Sequence, residues 1–191
     1  IKIPDTVTSI GEYAFAHNRN MYSAIISDSV KNMDKGVFSN CESLKYLTIG
    51  NSVESIGDYA FYECESLSHL TITNSVESIG DYAFYKCKNL RNVIIVDSVK
   101  SIGEYAFFGC TNLVAITIPK PVTSIGERAF GYDFDEKILE FVVIDGYTIY
   151  GYSGTESQRY AKDNGIKFVS LGNGYEFEIG DKHYESHLRP I

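Results

Sequence analysis

The sequence predicts an α/β solenoid: stacked coils carrying one parallel β-sheet, with short extended and helical turns on the opposite side. Three observations predict it. The stretch SVESIGDYAFYECESLSHLTITN is followed at once by SVESIGDYAFYKCKNLRNVIIVD, a near copy. Apolar columns recur at a fixed 23-residue step, among them Phe15, Phe38, Phe61, Phe84, Phe107 and Phe130, and Ile3, Ile26, Ile49, Ile72, Ile95 and Ile118. Within each step a run such as LKYLTI alternates apolar and polar residues, the period of a strand with one buried face.

Each element of the unit follows in turn. Leu44 is the first core residue, and Leu47 and Ile49, two apart, point to one side of a strand. Stacked copies of that strand make the parallel sheet, one strand per unit. A polar corner at Asn51 and Ser52 leads into VESI, a short extended segment whose Val53 and Ile56 return to the core. Gly57 ends it, and Asp58 to Tyr62 reads as one helical turn with Ala60 and Phe61 facing inward. Asp34 and Lys35 break this pattern and predict an irregular coil. No coil encloses a core alone, so stability comes from contacts between neighbours.

The recurring polar residues have local structural roles. Glu12, Asp58, Asp81, Glu104 and Glu127 follow a glycine (Ser-Ile-Gly-Asp/Glu) at the start of the helical turn, where a carboxylate meets unpaired N–H groups and the dipole. Asp28, Asn51, Asn74 and Asp97 sit at the corner after the strand, beside Ser29, Ser52, Ser75 and Ser98, all suited to bonding nearby backbone.

Recurrence decays after Phe130. Residues 1–145 form the array, with Leu139 and Phe141 as its last rung. Residues 146–171 form a cap. There Thr155 is the helix N-cap for ESQRYAKDN, Gly165 the stop, Tyr160 and Ala161 the inward face, and IKFVSL a closing strand. Residues 172–191 are a tail in which YEFEI alternates like a further edge strand. The first coil has no such cover, and the chain opens inside the pattern. It reads as a mature portion or excised segment with a missing N-terminal portion or a partner at that end.

The formal net charge is −8, from 17 basic and 25 acidic residues, with no basic cluster. That argues against nucleic-acid binding. No run approaches the roughly 20 apolar residues of a membrane-spanning helix. Cys41, Cys64, Cys87 and Cys110 stand one repeat apart, unlike the close pairs of zinc sites. They read as buried thiols in a core column. His183 and His187 share a helical spacing, but HYESH is not the HExxH of zinc proteases. A nucleophile elbow, a phosphate loop and a dinucleotide fingerprint are absent from the sequence. The expectation is a protein without enzymatic activity, metal or cofactor.

With these residues in hand, a resemblance emerges. CESLKYLTIGNSVESIGDYAFYEC resembles the leucine-rich repeat of the BspA-like, or Treponema pallidum, type: Cys, spaced Leu residues, Ile, then V-x-x-I-G-x-x-A-F. The likeness spans Ile3 to about Phe141. TIYGYSGTESQRYAKDNGIKFVSL resembles the segment that closes such arrays in secreted bacterial proteins. The resemblance implies a right-handed superhelix with the sheet on its concave face. It further implies a bacterial cell-surface or secreted location, often within a longer chain, and adhesion to host matrix or bacterial surface proteins. It transfers no catalytic residue.

The strand positions that alternate with the core point outward and vary from coil to coil. One column reads Tyr46, His69, Asn92, Ala115 and Ile138; the next reads Ile25, Thr48, Thr71, Ile94, Thr117 and Glu140; a third runs through Ser27, Gly50, Thr73, Val96, Pro119 and Val142. Tyr46, Thr48, His69, Thr71, Asn92, Ile94, Ala115 and Thr117 are therefore the candidate binding residues, suited to a flat contact with a protein partner. A rival surface is the tyrosine column Tyr13, Tyr59, Tyr82 and Tyr105, with Tyr62 and Tyr85 three residues on. Its plainer reading is a half-buried cover over the phenylalanine ladder. The expected function is a protein-binding module used in adhesion. The alternative is a structural spacer within a larger surface protein, with no ligand of its own.

Overall fold

The computed structural model describes residues 1–174. Two kinds of short strand alternate along the array. They are β1 (Ser9–Ile10), β2 (Ser23–Ile25), β3 (Asn32–Met33), β4 (Tyr46–Thr48), β5 (Ser55–Ile56) and β6 (His69–Thr71). The series continues with β7 (Ser78–Ile79), β8 (Asn92–Ile94), β9 (Ser101–Ile102), β10 (Ala115–Thr117) and β11 (Ser124–Ile125). An antiparallel hairpin follows, β12 (Tyr132–Asp135) and β13 (Glu140–Val143). Then come β14 (Thr148–Ser153), the helix α1 (Glu156–Asp163) and β15 (Lys167–Asn173).

The coils are bound by parallel pairing in the expected 23-residue register, Ser55 on Ser78 and Ile56 on Ile79 for example. The unbroken sheet is not the expected one. Six strands of the VESI segment pair continuously in the order β1-β3-β5-β7-β9-β11, whereas the Leu-x-Ile strands divide into β2-β4, β6-β8 and β10-β14-β15. Each coil thus contributes two strands rather than one strand and an extended linker.

The segment after each VESI glycine is not helical. Tyr59 and Glu63 take φ values of 57° and 54°, in the left-handed region that a right-handed helical turn excludes. The N–H groups of Tyr59, Phe61 and Glu63 donate across the coil boundary to the carbonyls of Asp81, Ala83 and Tyr85, at 2.8, 2.7 and 2.8 Å. One isolated turn closes few bonds of its own. Here the neighbouring coil takes up the donors, and the fold is a β-solenoid whose one helix among the described residues lies in the cap. Gly36 occupies the same left-handed column, at φ 64°; a Cβ there would collide with the Tyr13 ring.

This geometry changes the role of the acidic column. With no helix dipole to meet, the carboxylate of Asp58 accepts from the N–H of Asp81 at 2.9 Å, and that of Asp81 from the N–H of Glu104 at 2.8 Å. The corner serines do bond neighbouring backbone: the Ser75 and Ser98 hydroxyls donate to the carbonyls of Val53 and Val76, each at 2.7 Å.

The core is one continuous cluster. From Phe15 to Phe130 the six phenylalanine rings stack in sequence, with centroids 5.0–5.5 Å apart and planes within 13° of parallel. Beside them the buried thiols of Cys41, Cys64, Cys87 and Cys110 donate to the carbonyls of Phe15, Phe38, Phe61 and Phe84 at 3.1–3.2 Å. All four cysteines are unpaired. Burial pushes their pKa values upward, holding them as unreactive thiols.

The last rung lies elsewhere than expected. Leu139 is 73% exposed with φ 56°, and Phe141 is 48% exposed, so neither fills a core column. Residues 132–143 fold outward as the hairpin, and the strand that continues from β10 is β14, with Ala115 opposite Thr148 and Thr117 opposite Tyr150. The hairpin lies against the tyrosine side: Phe141 meets Phe108 edge-on at 5.7 Å, and the Arg128 guanidinium sits 4.4 Å from its ring centroid.

Helix α1 and β15 complete the end of the stack. Tyr160 and Ala161 face inward, as expected. Thr155 occupies the N-cap position without the anticipated cap bond; its hydroxyl donates back to the Tyr152 carbonyl at 2.7 Å. The expected YEFEI strand and the pair His183 and His187 lie outside the described residues.

Candidate functional site

The Leu-x-Ile strands place the sequence-selected residues on one face. Tyr46, Thr48, His69, Thr71, Asn92, Ile94 and Thr117 are exposed there, and Ala115 is half-buried. Their positions follow from strand alternation: Leu70 between His69 and Thr71, and Ile116 between Ala115 and Thr117, are buried. Parallel register sets His69 opposite Asn92 and Thr71 opposite Ile94. Ile138, Glu140 and Val142 do not belong to these columns, because they lie in or beside the hairpin; Thr148 and Tyr150 take the places expected of Ile138 and Glu140.

The face has two characters. At its first coils Tyr22 and Tyr46 meet edge-on at 5.3 Å, both more than half exposed. The Lys45 ammonium lies 5.3 Å from the Tyr46 ring centroid. Tyr22, as hydrogen-bonding neighbour, and then the charge of Lys45 lower the Tyr46 hydroxyl below the ordinary phenol value. Toward the cap, Arg91, Asn92, Ile94, Ala115, Thr117 and Tyr150 line an open hollow of about 370 Å³. Ile94, 60% exposed, is its most prominent apolar group.

Sequence alternation alone missed four of these neighbours. Tyr22, Lys45 and Arg91 stand one position before the strand and were not in the columns read as outward. Tyr150 was hidden by the hairpin, which shifts the strand register from 23 residues to 33, Thr117 to Tyr150.

The tyrosine side is a cover over the core. Tyr59, Tyr82 and Tyr105 stack at 4.9 and 5.0 Å, and Tyr62 stacks on Tyr85 at 4.9 Å with planes 2° from parallel. Burial, followed by the nearby Glu63 charge, pushes the Tyr62 hydroxyl up to about 12. These rings are half-buried and mutually satisfied, which leaves the strand face as the more available surface. Among the described residues no group of three or more His, Cys, Asp or Glu is arranged to hold a metal ion. No helix there is long and apolar enough to cross a membrane.

Comparison with known proteins agrees with this architecture. The chain is similar to a leucine-rich cell surface protein of Faecalibacterium prausnitzii, at 30% identity and a TM-score of 0.58 over 67% of this chain and 31% of that one. It is similar to the pneumococcal vaccine antigen PcpA, at 27% identity and a TM-score of 0.60 over 76% and 42% of the two chains. A Treponema pallidum leucine-rich repeat protein shares the fold at 18% identity and a TM-score of 0.62, covering 88% of this chain and 84% of that one. The chain therefore spans about a third of the Faecalibacterium protein and under half of the pneumococcal one. No curated protein matches it by sequence. The model of the BspA type leucine-rich repeat region matches residues 1–95 and 31–151 in six copies, and with the stacked coils seen here this chain belongs to the BspA type leucine-rich repeat family.

Proposed function

We propose that the chain is a protein-binding module, displayed on a bacterial surface or secreted, that serves adhesion to host matrix or bacterial surface proteins. The supporting observation is the contrast between columns. Core positions repeat coil after coil, while on the outward face Tyr46, His69, Asn92 and Ala115 all differ and Ile94 interrupts a column of Thr48, Thr71 and Thr117. A scaffold of that kind separates stability from recognition, so partner choice is written without disturbing the fold. Exposed aromatic and apolar groups, Tyr22, Tyr46 and Ile94 among them, suit a protein contact. The surface location of the Faecalibacterium relative supports the same placement for this chain. In this reading residues 1–145 bear most of the contact, Tyr150 adds to it, and residues 146–171 close the array.

The test is capture of purified host matrix proteins and of bacterial surface extracts by the chain and by a Tyr46→Asp, Thr71→Asp, Ile94→Asp variant, with circular dichroism confirming that both are folded. Capture that the variant loses supports the reading. Equal capture by both removes the strand face from it. No capture by either favours a spacer that positions other domains.

A further inference from the structure

We infer that the strand face holds a two-part site for an acidic peptide segment, one carboxylate seated among Lys45, His69 and Arg91 and a nearby apolar side chain against Ile94 and Tyr150. This rests on the proposed use of that face and names the chemistry of its partner.

The first part is a polar hollow of about 600 Å³ lined by Lys45, His69 and Arg91 together with Ser66, Ser68 and Asn89. No acid lines it. The acids nearest in sequence are already engaged elsewhere: Glu42 pairs with Arg19 at 3.1 Å and Glu65 with Lys88 at 2.7 Å. Among the described residues neither Lys45 nor Arg91 has a carboxylate within 4.0 Å. Two cations without a described counter-charge share one hollow on a chain whose formal charge is −8.

The charge pattern of the whole face points the same way. Strands β2, β4, β6, β8 and β10 contain no Asp or Glu, although the chain has 25. Acids are concentrated on other sides of the coil, as with Asp58, Asp81 and Glu104 in the turn ladder. An acidic partner is repelled there and attracted here, so complementarity selects both the partner and the face.

The second part is the hollow between Ile94, Ala115, Thr117 and Tyr150. It shares Arg91 and Asn92 with the first, so the two are continuous. Arg91 offers the planar fork that grips a carboxylate through two bonds, and Asn92 can bond the peptide backbone between the two anchors. A free small anion would leave the apolar hollow empty. A nucleic acid would bring a phosphate chain against a strongly acidic protein.

The probe is a short capped peptide of repeating Ser-Glu-Ser-Leu, which puts Glu and Leu on one side of an extended chain. Its controls replace Glu by Gln, Glu by Lys, or Leu by Ser, and a heparin-derived oligosaccharide serves as a polyanion without apolar side chains. Binding is read by nuclear magnetic resonance titration. The expected result is affinity for the Glu/Leu peptide at least about tenfold above every control, falling several-fold as NaCl rises from about 50 to about 300 mM. Lys45→Glu with Arg91→Glu abolishes it, while the reversed surface charge Lys100→Glu does not.

Equal binding of the Gln peptide, tighter binding of heparin, unaltered binding by the Lys45/Arg91 variant, or no binding of any peptide overturns the inference. Such a result overturns this inference alone where the Asp variant at Tyr46, Thr71 and Ile94 still loses capture of its protein partners. Where capture is unaffected by that variant, the proposed use of the strand face falls as well.

Discussion

The Tyr160 hydroxyl accepts a hydrogen bond from the Phe130 N–H at 2.9 Å and donates one to the Phe130 carbonyl at 3.1 Å. One side-chain oxygen from helix α1 takes the place that a further coil's carbonyl fills for Phe61 and Phe84. The Tyr160 ring also meets the end of the phenylalanine stack edge-on, at 6.3 Å. Tyr160→Phe keeps that ring and leaves a buried N–H unpaired. The expected loss is about 1–3 kcal/mol in urea unfolding, with hydrogen exchange accelerated first at Phe130.

Phe84→Ala empties a site between two stacked rings, Phe61 at 5.2 Å and Phe107 at 5.0 Å. A cost of about 3–5 kcal/mol is expected from denaturant unfolding. Phe15→Ala should cost less, because that ring is only partly buried and stacks on one described neighbour, Phe38.

The four thiols are buried and unpaired, and burial raises their pKa values. A thiol reagent at neutral pH should find none in the folded chain and all four after denaturation. Because the folded state retains protons that the unfolded chain releases, stability is flat below the ordinary thiol range of about 8.5 and falls as pH climbs beyond it. Tyr62, pushed up to about 12, acts in the same sense from its own ordinary value upward. Thermal unfolding followed by circular dichroism across alkaline pH measures both.

Asp81 uses one carboxylate oxygen to accept from Glu104, so an amide should serve nearly as well as a charge. Asp81→Asn is expected to be close to neutral. Asp81→Ala should cost about 1 kcal/mol by removing the acceptor. A helix-dipole role would instead make the two substitutions similar, which paired urea titrations resolve.

Removal of Ser52–Asn74 joins Asn51 to Ser75 and leaves every column in place. Three residues inserted between Tyr85 and Lys86 move Lys86 N–H from the Phe108 carbonyl and the Cys87 thiol from the Phe61 carbonyl. The deletion should retain a cooperative folded state and the shorter change should not, as seen by circular dichroism and unfolding slopes.

Columns that repeat were legible because stacking imposes the same neighbours on each copy. The phenylalanine stack, the cysteine column and the tyrosine cover all follow from a 23-residue step. Two features were not. Asp58 to Tyr62 has helix-like spacing of Ala60 and Phe61, yet its N–H partners lie in the next coil, which local patterning does not reveal. Leu139 and Phe141 fit the apolar columns by arithmetic, but excess residues fold out as a hairpin and hand the rung to Ile149, which is fully buried. Of the face itself, alternation located seven exposed residues and the half-buried Ala115, while Lys45 and Arg91, one position before the strand, fall outside its pattern.

The parallel register also has a metrical consequence. Successive coils stand about 4.8 Å apart, whereas same-side residues of an extended peptide recur at about 6.7 Å, so along the rod the two rulers are incommensurate. They coincide only after about 34 Å, or about seven coils. That exceeds the six intervals between the seven strands of the binding side, β2, β4, β6, β8, β10, β14 and β15. A ligand lying lengthwise therefore meets a different phase at every step, and a repetitive scaffold presents no repeated binding position to it.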